Sequence, residues 1–152
     1  MGIEGLRVRT LLRNNYFTPT LQTALVLALE SMGNIAGRGE VIVFAARASS
    51  ETEARYVNIS GMMLAQYHRT SPLAKIRGAH NVIAGETKDG KLIVAAPLDY
   101  LPWIKPVDDF ARRTDLKGAE RWLLVSGKTT PRATQELTTL GWRVSDNLAS
   151  AR

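Results

Sequence analysis

Residues 122–144 read WLLVSGKTTPRATQELTTLGWRV, and this stretch decides the fold. Trp122-Leu123-Leu124-Val125 is a short apolar run closed by Ser126-Gly127, the pattern of a buried strand. Thr130-Pro131 then opens a helix. The threonine hydroxyl caps a free N–H, and proline fits the first turn because its missing N–H would have had no partner there. Ala133, Leu137 and Leu140 share one helical face, Gly141 stops the helix, and Trp142-Arg143-Val144 reads as a second strand. Strand, helix, strand is a crossover unit, so the two strands are expected to be parallel and joined right-handedly.

Upstream, Asn81-Val82-Ile83-Ala84 and Lys91-Leu92-Ile93-Val94-Ala95 flank Thr87-Lys88-Asp89-Gly90. An Asp-Gly turn between two apolar runs predicts a hairpin. Pro97, Pro102 and Pro106 punctuate the chain that follows, and a short helix is expected from about Pro106 to Arg113, with Val107, Phe110 and Ala111 inward. Pro72 closes the segment before the hairpin, and residues 73–79 read as a short helical turn.

The amino-terminal half is helical in pattern. Thr18-Pro19 repeats the cap-and-proline start, and Leu21, Leu25, Ala28 and Met32 recur at helical spacing before Gly33. Val26, Leu27 and Leu29 widen the apolar surface nearly all round, which predicts a helix in the middle of a core. Val41 to Phe44 favours a strand by propensity and Ala45, Ala46 and Ala48 a helix; Val41, Phe44, Ala45 and Ala48 on one face favour the helix. Ser50 and Glu53 make a capping-box pattern ahead of a long amphipathic helix to about Arg69, with Ala54, Val57, Gly61, Leu64 and His68 on one stripe and Tyr56, Ile59, Met63 and Tyr67 on an adjacent one. Gly61 inside it suits close approach of another element.

The expected architecture is therefore α+β, or a small α/β fold: a helical amino-terminal half packed on a small mixed sheet with a carboxy-terminal β-α-β unit. Residues 1–152 read as a single domain, with a helical part at about 18–70 and the hairpin and β-α-β part at about 80–146. The proline-marked stretch 97–106 divides two halves of one domain.

Composition narrows the function by exclusion. The chain has 152 residues, 45% apolar and 22% charged, as a packed globular domain has. No cysteine is present, which excludes disulfides, thiolate catalysis and cysteine-ligated zinc. No apolar run approaches the roughly 20 residues of a membrane span, and no signal-peptide pattern is visible, so a soluble protein of unassigned compartment is expected. Met1-Gly2 reads as a start placed ahead of an internal domain of a larger, bacterial-type protein. The net charge of +6 is spread thinly over 20 bases and 14 acids without a run of one sign. Nucleic-acid binders concentrate their bases, so a weak nucleic-acid binder is the least favoured reading.

The candidate chemistry is sparse. His68, near the end of the long helix, suits either a helix-terminal role or a general base, and it is the catalytic candidate of a small hydrolase-like alternative. Tyr100, Trp103 and Lys105, in the proline-marked loop, are the candidate ligand or partner surface, since rigid aromatics carry binding energy. Lys128, Thr129 and Thr130 lie where a strand meets a helix start, a candidate weak anion site. The preceding Ser126-Gly127 ends like a phosphate loop, but Trp122 stands where that motif needs glycine. Asp108 and Asp109 read as helix-start charges, with a carboxylate site of Asp99, Asp108 and Asp109 as the less favoured alternative. His68 and His80 have no second ligand at metal spacing, so neither metal nor cofactor is expected. With no assembled nucleophile, dyad or phosphate loop, the leading expectation is a non-enzymatic interaction or ligand-binding module, its partner a protein or small ligand.

Overall fold

The computed structural model describes residues 11–33, 35–79 and 82–146. Three helices come first: α1 (Pro19–Ser31), α2 (Arg38–Ala46) and α3 (Glu51–Thr70). Strands β1 (Leu73–Ala79), β2 (Val82–Thr87) and β3 (Leu92–Ala96) follow, then β4 (Tyr100–Leu101), α4 (Lys105–Ala111), β5 (Arg121–Val125), β6 (Lys128–Thr129), α5 (Pro131–Thr139) and β7 (Trp142–Ser145). The fold is α+β, a helical amino-terminal half on a mixed sheet.

The five-stranded sheet has the order β1-β2-β3-β5-β7. β1, β2 and β3 form an antiparallel meander, while β3, β5 and β7 run parallel. The expected β5-α5-β7 crossover is present, and β3-α4-β5 is a second one. Alternation divides the sheet between two cores. Ile83, Ile93, Ala95 and Leu124 face α1, α2 and α3. Val82, Val94, Ala96, Leu123 and Val125 face α4 and α5. Leu25, Leu64, Ile93 and Leu137 are completely buried. Each such side chain contributes about 1.5–3 kcal/mol relative to an exposed one. Trp142 is also buried, and its indole N–H donates to the Ala111 carbonyl at 3.0 Å, tying β7 to the end of α4.

The helix starts behave as their residues dictate. The Thr18 hydroxyl accepts from the Leu21 N–H and the Thr130 hydroxyl from the Ala133 N–H. The Ser50 hydroxyl accepts from Glu53, as a capping box requires. The returning Glu53 carboxylate, however, takes the N–H and hydroxyl of Ser49, one residue earlier than the motif places it. Gly61 faces α1: a Cβ there would lie 3.1 Å from Leu25 Cδ1, so the missing side chain is what lets the helices approach.

Two segments differ from their expectation. Residues 73–79 form β1 rather than a helical turn. A bulge between Leu73 and Lys75 puts Leu73 and Ile76 on the same face although they are three residues apart, which in sequence imitates helical spacing. Helix α1 buries only Leu25, Ala28 and Leu29 within its length, while Val26 and Leu27 are exposed, so it is a peripheral helix resting on α3 and not a central one.

Candidate functional site

Helix α4 has seven residues, too few to cover the sheet face beneath it. Beside it lies a groove of about 380 Å³. Its floor is Val82, Val94, Ala96 and Leu123, its wall Pro106, Val107 and Phe110, and its rim includes Tyr56, Leu98, Asp109 and Arg113. The floor is aliphatic because β2, β3 and β5 present alternate small residues to this face. The groove lies at the carboxyl end of β3, the end of parallel strands where open α/β sheets hold ligands. Its volume falls in the range of small-molecule sites.

The loop from Pro97 to Ile104 forms the adjoining surface. Leu98, Tyr100 and Ile104 are 39%, 61% and 50% exposed, three large apolar side chains left in water along this loop. The loop beneath them is fixed. Gly127 N–H donates to the Leu98 carbonyl at 2.7 Å, Lys128 N–H to Asp99 at 3.0 Å and Thr130 N–H to Leu101 at 3.0 Å. The Ser126 hydroxyl adds a bond to the Leu98 carbonyl at 3.0 Å. Gly127 is required there, since a Cβ would lie 1.9 Å from the Asp99 carbonyl oxygen.

These bonds bring two sets of sequence candidates together: Tyr100 pairs with Lys128, and Leu101 with Thr129, in a two-stranded parallel ladder. Trp103 is half-buried against the α4-side core. Lys105 is exposed, with its ammonium 3.3 Å from Asp109. At the candidate anion loop the amides are already committed: Lys128 and Thr130 to the neighbouring loop, Thr129 to the Asp146 carboxylate at 3.1 Å, and Ala133 to the Thr130 cap. Pro131 has no N–H to offer. Asp108 pairs with Arg112 and Asp109 with Lys105, one helical turn apart in each case.

His68 lies at the other end of the sheet, where α3 turns into β1. Its Nδ1 accepts the backbone N–H of Leu73 at 2.9 Å, which leaves the ring proton on Nε2. No carboxylate or side-chain hydroxyl bonds the ring among the described residues. His80 lies outside the described residues. Among the described residues, no three His, Asp or Glu side chains gather as a metal site, and no helix is long and apolar enough to cross a membrane.

Sequence reasoning placed Val107 and Phe110 inward and Tyr56 on an apolar stripe, but it did not find the groove. The groove arises from the shortness of α4 over a wide sheet, a relation between segments that no local pattern encodes. Comparison with protein families, curated proteins and solved structures finds no match to this chain.

Proposed function

We propose that this chain is a non-enzymatic ligand-binding module whose ligand is an apolar small molecule held in the groove beside α4. One observation carries the reading: a preformed cavity with an aliphatic floor opens at exposed Leu98, in the loop that also leaves Tyr100 and Ile104 in water. Apolar surface left in water next to a cavity is binding energy not yet used. The charged rim groups are engaged elsewhere, Asp109 with Lys105 and Arg113 with Asp115. The groove thus offers shape and hydrophobicity and no acid-base pair. The hydrolase alternative rests on His68, whose ring bonds only backbone among the described residues.

The test is titration of the 15N-labelled chain with small apolar fragments, substituted benzenes and cyclohexanes. The expected shifts concentrate at Val82, Ala96, Val107 and Phe110. Shifts confined to other surfaces, or none at millimolar fragment, contradict the reading.

A further inference from the structure

We draw no further inference here: the strongest candidate, the groove of about 500 Å³ between α1 and α3 lined by Ala24, Ala28, Met62, Ala65 and the exposed Leu27, is an unpartnered apolar face, and nothing among the described residues shows what covers it.

Discussion

The backbone N–H of Leu73 donates to Nδ1 of His68 across 2.9 Å, tying the last turn of α3 to the first residue of β1. The imidazole thus does for Leu73 what a neighbouring strand would otherwise do. His68→Ala is expected to leave a buried N–H unpartnered and to cost about 1–2 kcal/mol in denaturant unfolding. Fragment affinity at the groove should stay unchanged, because His68 and the groove lie at opposite ends of the sheet. A large loss of groove affinity in a variant that remains folded would contradict this placement.

Gly127 answers for the loop that carries Tyr100. With the Asp99 carbonyl occupying the space a side chain would need, Gly127→Ala must push the two loops apart. Overpacking of this kind is expected to cost at least about 2 kcal/mol. Ser126→Ala removes one exposed bond and should cost no more than about 1 kcal/mol. Equal stability of the two variants by thermal melting would show that the loops are not stitched as described.

Much of this architecture is legible in the sequence because its signals are local. Thr18-Pro19, Ser50 and Thr130-Pro131 mark helix starts that the hydrogen bonds reproduce. The Asp89-Gly90 turn marks the hairpin, where Gly90 takes a φ of +88°. The bulge in β1 is not legible, since Leu73 and Ile76 carry helical spacing in a strand. Nor is the exposure of Val26 and Leu27, because composition cannot say that only one side of α1 meets another element. Of the candidate sites, Tyr100 and Lys128 each stood out alone, and only pairing of β4 with β6 joins them. Tyr56 read as one more apolar-stripe residue, because its place at the groove rim depends on how α3 and α4 meet the sheet.

Acid should act on the start of α3. The Ser49 N–H, and then the Ser49 hydroxyl, hold the Glu53 carboxyl below its ordinary value, against a smaller opposing effect of burial. A carboxylate with a lowered folded-state pKa stabilises the fold above its unfolded pKa, and the contribution is lost as pH falls through the folded one. Glu53→Gln should therefore be less stable than wild type near neutrality, and the difference should shrink as pH falls below the ordinary glutamate range. A difference that is constant from neutrality to acid would remove the charge-assisted cap from the account.

The most direct measurement of the central claim is a thermal melt of wild type and Ala96→Leu, each with and without saturating apolar fragment. Ala96 is on the groove floor, and the larger isobutyl side chain of leucine fills the space the ligand needs. A ligand that binds only the folded chain raises its melting temperature. The account predicts that the fragment raises the melting temperature of wild type and leaves that of Ala96→Leu unmoved, with the variant still melting cooperatively. An equal rise in both proteins would place the ligand elsewhere and contradict it.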